Sequence, residues 1–156
     1  MARQLWLLRH GDAEPYGTRP DAERRLTDRG VEQARAAGTA LAALGVQPAI
    51  VYTSPRVRAR ETAEHACQAL GVDPVEHGAL AGGFDAREAL ELAASDADGD
   101  GRVLIVGHEP DFSQIVHDLT GARIDMKKGG IAGVRLEGGR GELIVLLRPR
   151  ELLAIR

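Results

Sequence analysis

The chain has 156 residues, a formal net charge of −3 at pH 7 and one cysteine, and 44% of its residues are hydrophobic. This length predicts a single domain over residues 1–156. The acidic balance argues against a nucleic-acid or anionic-membrane binder, which needs a basic surface. One cysteine excludes an intrachain disulfide. Because no apolar run reaches the ~20 residues of a membrane span and the start does not resemble a signal peptide, we expect a cytoplasmic protein.

Strand and helix patterns alternate along the chain. The sequence predicts strands at 4–10, 49–54 and 102–107, helices at 26–45, 55–71, 85–95 and 111–121, and a closing hairpin of 131–137 and 142–148 around 138–141. Thr27 is the expected N-cap of the first helix. Ser54 is the expected cap of the second, with Pro55 at its first position and Gly71 at its end. This alternation predicts an α/β fold: a three-layer αβα sandwich with a mainly parallel sheet and an antiparallel edge hairpin.

Polar residues follow three of the predicted strands, where open α/β sheets bind their ligands. They are Arg9, His10, Gly11 and Asp12 after the first strand, Arg56, Arg58 and Arg60 after the second, and His108 and Glu109 after 102–107. Guanidinium groups match phosphate oxygens, and a neutral imidazole can attack phosphorus. Nearby arginines disfavour the protonated imidazole. The set therefore predicts a phosphoryl-transfer site, since that chemistry depends on charge stabilisation and positioning.

Four segments resemble the motifs of the histidine phosphatase superfamily, which has the phosphoglycerate-mutase-like fold. They are LLRHGDAE (7–14), RRLTDRGVEQA (24–34), TSPRVRARETAE (53–64) and VGHEPDFS (106–113), in the family's order. The short length, the RHGDA start and the SP-x-x-RA-x-x-T form resemble the SixA-type phosphohistidine phosphatases. The resemblance implies a metal-independent phosphatase that acts through a phosphohistidine enzyme intermediate. It implies no cofactor, and phosphohistidine on a protein as the substrate.

The resemblance implies catalytic roles for four residues, His10, Arg9, Arg58 and His108. His10 matches the nucleophile that becomes phosphorylated. Arg9 and Arg58 match the arginines that bind phosphate. His108 matches the second histidine, which binds phosphate and stabilises charge in the transition state.

Further residues are candidates for the substrate site. Arg24 matches the arginine of the family's R-x-L-T element and would line the mouth. The backbone N–H of Glu109 would assist phosphate binding. Gly11 would leave room beside the imidazole for substrate or backbone. Arg56 and Arg60 fall outside the motif, and we expect both to be solvated surface charges.

One departure from the family pattern affects the chemistry. Many members carry a carboxylic acid that protonates the leaving group, but the aligned position here is Ala79, with Glu76 and Asp85 out of register. The imidazole of a phosphoramidate leaves readily once protonated, whereas an alkoxide needs the acid more. The substitution therefore favours phosphohistidine or another activated phosphate over simple alkyl phosphates, and it disfavours a mutase.

Three other functions fit the same residues. A metal-dependent phosphohydrolase could use His10, Asp12, His108, Glu109 and Asp111 as ligands. A non-catalytic module could bind a phosphorylated partner through its arginines. A small-molecule phosphomonoesterase of the same superfamily is the third. The expected partner is a phosphorylated protein or a small phosphorylated substrate, with no nucleic acid and no membrane, and we expect a monomer.

Two polar segments are expected to have no catalytic role. DADGDG (96–101) matches the first half of an EF-hand loop, but the twelfth position is Gly107, where a bidentate glutamate is required. A polar turn is the expectation there. Lys127 and Lys128 could contact substrate near the mouth, but a solvated loop is expected because lysines are usually exposed.

Overall fold

A computed structural model describes residues 3–96 and 101–156. Within these ranges lie strands β1 (Arg3–Arg9), β2 (Ile50–Thr53), β3 (Val75–Glu76), β4 (Arg102–Gly107), β5 (Ile131–Glu137) and β6 (Arg140–Leu147), helices α1 (Asp28–Ala43), α2 (Val57–Leu70), α3 (Ala86–Ala93), α4 (Asp111–Thr120) and α5 (Pro149–Ile155), and short 3₁₀ helices at Asp21–Glu23 and Gly78–Ala81. None of these helices is long and apolar enough to cross a membrane. The polar turn predicted at 96–101 falls mainly on 97–100, outside the described residues.

The described strands form one sheet in the order β3-β2-β4-β1-β5-β6. The first four of these are parallel, whereas β5 runs antiparallel to β1 and β6 antiparallel to β5. The predicted antiparallel edge hairpin is therefore confirmed. Arg9 at the end of β1 lies opposite Gly107 at the end of β4, and Thr53 of β2 lies opposite Val106. This register brings the residues after β1, β2 and β4 to one edge of the sheet.

Both faces of the sheet are covered, which confirms the three-layer sandwich. Leu5 and Leu7 of β1 pack into a core with residues of α3 and α4. Trp6 and Leu8 point to the opposite face and pack with residues of α1, α2 and α5. A strand buried on both faces needs a continuous apolar run, as the sequence of β1 has.

The helix ends agree with the sequence except at the start of α2. The Thr27 hydroxyl accepts a hydrogen bond from Gly30 N and caps α1, and Gly71 ends α2 at φ 69° in the left-handed region. The expectation for Ser54 and Pro55 is wrong, because α2 begins at Val57 and both residues precede it. The Ser54 hydroxyl contacts a histidine of the candidate site instead.

Besides the two short 3₁₀ helices, one α-helix and one strand were not predicted from the sequence. Helix α5 follows the hairpin, begins at Pro149 and packs the fully buried Leu152 against the face that carries α1 and α2. Strand β3 is only two residues long and pairs with β2 at the edge of the sheet. The closing hairpin is therefore not the last element of the chain.

Candidate active site

His10 lies just beyond β1, and its imidazole is only 6% exposed. Its Nδ1 lies 2.8 Å from the Gly11 carbonyl oxygen. Because a carbonyl oxygen only accepts, Nδ1 carries the ring proton and Nε2 keeps its lone pair. Burial lowers the pKa of His10 to about 3; the hydrogen bond to Gly11 opposes this shift, and the nearby cations add to it. His10 is therefore a neutral imidazole at pH 7, with Nε2 free to act as a nucleophile.

His108 follows β4 and faces His10 across the end of the sheet. The two ring centroids are 5.3 Å apart with an interplanar angle of 54°. The Nε2 atom of His108 lies 2.7 Å from the Ser54 Oγ, whereas its Nδ1 is buried with no partner among the described residues. Burial and then the charge of Arg58 lower the pKa of His108 to about 4. This leaves a second neutral imidazole with one nitrogen available to a ligand.

Arg9, which is partly buried, and Arg58, which is buried, bring two positive charges to the histidines. Arg9 Nη1 donates to the Met126 carbonyl at 2.8 Å, and Arg58 Nη1 donates to the Asp21 carbonyl at 2.8 Å. The Nε atoms of both guanidiniums are buried without a partner in the described chain. Burial lowers the pKa of each arginine. Both charges also lower the pKa values of His10 and His108, so the four predicted residues form one electrostatic site.

Two further arginines lie with Arg58 around the carboxylate of Asp21. We call Arg24, Arg56 and Arg58 the arginine cluster; all three pair with Asp21. The expectation that Arg56 is solvated is wrong, because its Nε also donates to the Ala81 carbonyl at 2.7 Å.

The positions of Arg24 and Arg60 differ from each other. Arg24 pairs with Asp21 and is only 6% exposed, and its guanidinium carbon lies 4.1 Å from the centre of the Tyr16 ring. Arg60 is half exposed and pairs with Glu64 and Glu76, as expected of a surface charge.

Gly11 leaves room for backbone rather than substrate. A Cβ at this position would lie 2.7 Å from the Gly30 carbonyl oxygen at the start of α1. The Gly11 N–H donates to the Thr62 hydroxyl at 3.0 Å, and that hydroxyl donates to the Arg58 carbonyl. The turn after His10 is thereby fixed to both α1 and α2.

The remaining candidates surround the site. Glu109 follows His108, and its carboxylate accepts from the Ser113 N–H at 2.7 Å. Ala79 lies in the 3₁₀ helix Gly78–Ala81 and packs against the core. That segment, GALA, contains no carboxylate. Lys127 and Lys128 are exposed, as expected.

The carboxylates that a metal-dependent phosphohydrolase would use as ligands accept hydrogen bonds from protein groups instead. Asp12 accepts from the Thr27 hydroxyl, Asp111 from the Phe84 N–H and Glu109 from Ser113. Within 3–96 and 101–156, no three or more His, Cys, Asp or Glu side chains are grouped to hold a metal ion. The predicted ligands therefore do not form a metal centre in this part of the chain.

Three site residues were not predicted from the sequence: Asp21, Ser54 and Thr62. Ser54 and Thr62 are the serine and threonine of the SP-x-x-RA-x-x-T segment, so the motif held a signal for them. Asp21 lies outside the motifs, and only the folded chain brings it to Arg58.

Residues 5–82, half of the chain, match the profile of the histidine phosphatase superfamily (branch 1). An uncharacterised protein of a Picosynechococcus strain is 34% identical over 166 residues, which cover 96% of this chain and 99% of the relative. The chain belongs to the histidine phosphatase superfamily. It is accordingly a phosphatase, a hydrolase of the phosphoric monoester type, and the resemblance found in its motifs is confirmed.

Within the superfamily the chain is SixA-like. The structure of the protein histidine phosphatase SixA complexed with tungstate superposes with a TM-score of 0.86 at 26% identity, covering 96% of this chain and 99% of that one. A protein of Nakamurella multipartitia, provisionally assigned as a phosphohistidine phosphatase SixA, superposes with a TM-score of 0.76 at 29% identity over 96% of this chain and 97% of its own. The similarity spans nearly the whole chain, not the motifs alone.

Proposed function

We propose that this chain is a metal-independent phosphohistidine phosphatase, working as a monomeric single domain on a phosphorylated protein. The observation that carries the proposal is the state of His10. Its Nδ1 proton is held by the Gly11 carbonyl and its pKa is depressed to about 3, so a neutral Nε2 is available beside Arg9, Arg58 and His108. A site for binding alone would not need a nucleophile prepared in this way.

The first step is attack by His10 Nε2 on phosphorus. The Nε2–P bond forms, and the bond from phosphorus to the leaving group breaks. Arg9, Arg58 and the free nitrogen of His108 bind the phosphoryl oxygens, where they stabilise charge that builds up in the transition state. The Gly11 carbonyl accepts from Nδ1–H throughout and so stabilises the positive charge that the ring acquires.

The second step releases the product. Water attacks the phosphorus of the phosphohistidine, the Nε2–P bond breaks, and inorganic phosphate leaves with the water oxygen. The bonding pair returns to Nε2, so His10 is again neutral. The arginines and His108 bind the same oxygens in both steps, as expected when one site serves two related transition states.

Phosphohistidine is the proposed substrate because the segment around Ala79 has no carboxylate that could protonate a poor leaving group. A protonated imidazole leaves without such help, whereas an alkoxide does not. The similarity to the protein histidine phosphatase SixA supports the same class of substrate.

Metal independence is supported by the charges at the site. Arg9 and Arg58 would repel a divalent cation, and they supply the positive charge that a metal supplies in other phosphatases. The nearby carboxylates accept hydrogen bonds from protein groups instead.

The test measures phosphate release by purified protein in EDTA. The substrates are a phosphohistidine peptide, p-nitrophenyl phosphate and glycerol phosphate, and the variants are His10→Ala and, as a control, the exposed His117→Ala. We expect phosphohistidine to be the best substrate, EDTA to have no effect, and His10→Ala to lower kcat at least about 10³-fold. His117→Ala should retain activity.

Each other outcome selects a different function. Activity that EDTA abolishes and a metal restores would favour the metal-dependent interpretation. Turnover of small esters alone would favour a small-molecule phosphomonoesterase. Binding of phosphate without turnover of any substrate would favour a recognition module, and activity retained by His10→Ala would refute the mechanism.

A further inference from the structure

One carboxylate, that of Asp21, is shared by the whole arginine cluster. Its Oδ1 accepts from Arg24 Nε at 3.0 Å, and its Oδ2 accepts from Arg56 Nη1 and, at 3.4 Å, from Arg58 Nη2. Asp21 lies in the 3₁₀ helix Asp21–Glu23. The negative charge that these arginines meet in the free protein therefore comes from a residue that belongs to none of the sequence motifs.

Asp21 is ionised under ordinary conditions. Burial by itself would raise the pKa of Asp21, but the hydrogen bond from Arg24 and the charges of the arginine cluster outweigh burial and lower it. A carboxyl group with a lowered pKa is a poor proton donor near pH 7. Asp21 therefore does not replace the acid that is missing at Ala79, and its effect must come from its negative charge.

Arg58 makes two contacts with Asp21, and a phosphate oxygen could replace the weaker of them. The firm hydrogen bond is the one from Arg58 Nη1 to the Asp21 backbone carbonyl, at 2.8 Å. The side-chain contact from Nη2 is long, at 3.4 Å, and Arg58 Nε has no partner in the described chain. A phosphate oxygen can thus approach Arg58 while the backbone contact holds the guanidinium in place.

We propose that Asp21 limits how tightly the site holds inorganic phosphate and thereby promotes product release. Its unit negative charge neutralises part of the arginine cluster and repels the phosphate dianion bound at Arg58. A site with two buried histidines and several arginines would otherwise bind its product strongly, because nothing else described in contact with Arg58 carries a negative charge. The inference rests on phosphate binding at Arg58, which the proposed function requires.

The test is the dissociation constant of inorganic phosphate, measured by calorimetry on the full chain. Asp21→Asn keeps an acceptor oxygen for the arginines but removes the charge. We expect it to lower the Kd about three- to tenfold, which is the effect of one unit charge at about 4 Å in a largely aqueous environment, since the Asp21 side chain is 42% exposed. The gain should shrink in high salt, because salt screens partly exposed charges. With the same phosphohistidine peptide, kcat should fall while KM falls with it.

Glu91→Gln is the matched control. It removes the same charge from an exposed position of α3 that pairs with Arg87, so phosphate affinity should stay within about twofold of wild type if distance screens the charge. Should Asp21→Asn fail to fold by circular dichroism, Asp21→Ser gives the same comparison with a hydroxyl acceptor.

The possible failures are distinguishable. Equal or weaker phosphate binding by the Asp21 variants would overturn the inference and leave Asp21 as a residue that only places the arginines. Wild-type protein that neither binds phosphate nor turns over the phosphohistidine peptide would overturn the proposed function as well, whereas turnover with unchanged phosphate affinity of the Asp21 variants would overturn the inference alone.

Discussion

We infer that the Ser54 hydroxyl sets which nitrogen of His108 carries a proton. Ser54 is fully buried, its Oγ accepts from the Arg56 N–H at 3.2 Å, and the acceptor that the described contacts offer to its own proton is His108 Nε2 at 2.7 Å. With Nε2 as the acceptor, the ring proton of the neutral imidazole lies on Nδ1. Nδ1 is the buried nitrogen without a partner in the described chain, so it can donate to a phosphate oxygen.

Ser54→Ala should therefore lower kcat about tenfold, less than the roughly 10²- to 10³-fold cost of removing such a donor outright, because the imidazole of His108 stays and loses only its orienting contact. Thr53→Val is the control, because Thr53 is the buried neighbour whose hydroxyl donates to the Ser54 backbone carbonyl at 3.1 Å rather than to His108. Each variant should lose about 1 kcal/mol of stability with its hydrogen bond. Steady-state kinetics on the phosphohistidine peptide measure the effect, and equal kcat values for the two variants would refute this role of Ser54.

The sequence predicted the site residues that directly follow strands, but not Asp21, which is far from the motifs along the sequence and reaches the site only in the folded chain. His10 and His108 come directly after β1 and β4, whose carboxyl ends must meet in a parallel sheet. Asp21 is 37 residues from Arg58 and lies in a 3₁₀ helix too short to show periodicity, so no local pattern places it there. Arg56 was assigned to solvent because arginines are usually exposed, and its contacts with Asp21 and the Ala81 carbonyl reverse that expectation.

At the scale of secondary-structure elements, α1 and α2 approach each other at Gly38. A Cβ on Gly38 would lie 2.3 Å from the Ala66 carbonyl oxygen of α2. Backbone cannot swing aside as a flexible side chain can, so the two helices would have to separate. Helix α2 carries Thr62, whose hydroxyl accepts from the Gly11 N–H in the turn after His10. Helix α1 begins beside the same turn, where Gly30 N donates to the capping Thr27 hydroxyl. The spacing of the two helices therefore affects the site.

We expect Gly38→Ala to destabilise the protein by about 2 kcal/mol or more, as overpacking of a core does. Helix propensity alone predicts the opposite sign, since alanine is favoured over glycine by about 1 kcal/mol inside a helix. Thr39→Ala, at the exposed next position of α1, is the control and should be neutral or stabilising. Urea unfolding followed by circular dichroism measures both changes, and a stabilised Gly38→Ala would show that the contact is loose.

The elements that the sequence predicted well are those with long periodic patterns. Strand β4 spans the predicted residues 102–107, because a continuous apolar run bounded by glycines has one reasonable interpretation. Strand β3 is too short for any periodicity, and pairing with β2 alone defines it. Helix α5 was not predicted because its apolar residues follow closely on those of the hairpin and were not separated from them, although Pro149 in its first turn is a helix-start signal.

At the scale of the whole molecule, the two buried histidines link stability to pH. Burial lowers the pKa of His10 to about 3 and of His108 to about 4, from an ordinary value of 6.5. Below pH 6.5 the unfolded chain binds protons that the folded chain does not. The stability from these two neutral rings is therefore fully present above pH 6.5 and is lost as the pH falls toward the folded values.

Between about pH 6 and pH 5, each of these histidines should contribute a slope of roughly 1.4 kcal/mol per pH unit to the free energy of unfolding. Urea unfolding at several pH values measures the slope, and His10→Asn and His108→Gln should each reduce it by that amount relative to wild type. His117→Gln is the control, because His117 is exposed and its replacement should leave the slope unchanged. If the two site variants kept the wild-type slope, both rings would bind protons in the folded protein over the same pH range as in the unfolded chain. The pKa of His10 would then not be lowered, and the observation on which the proposed mechanism rests would be lost, so an equilibrium measurement on the free protein tests that premise without any substrate.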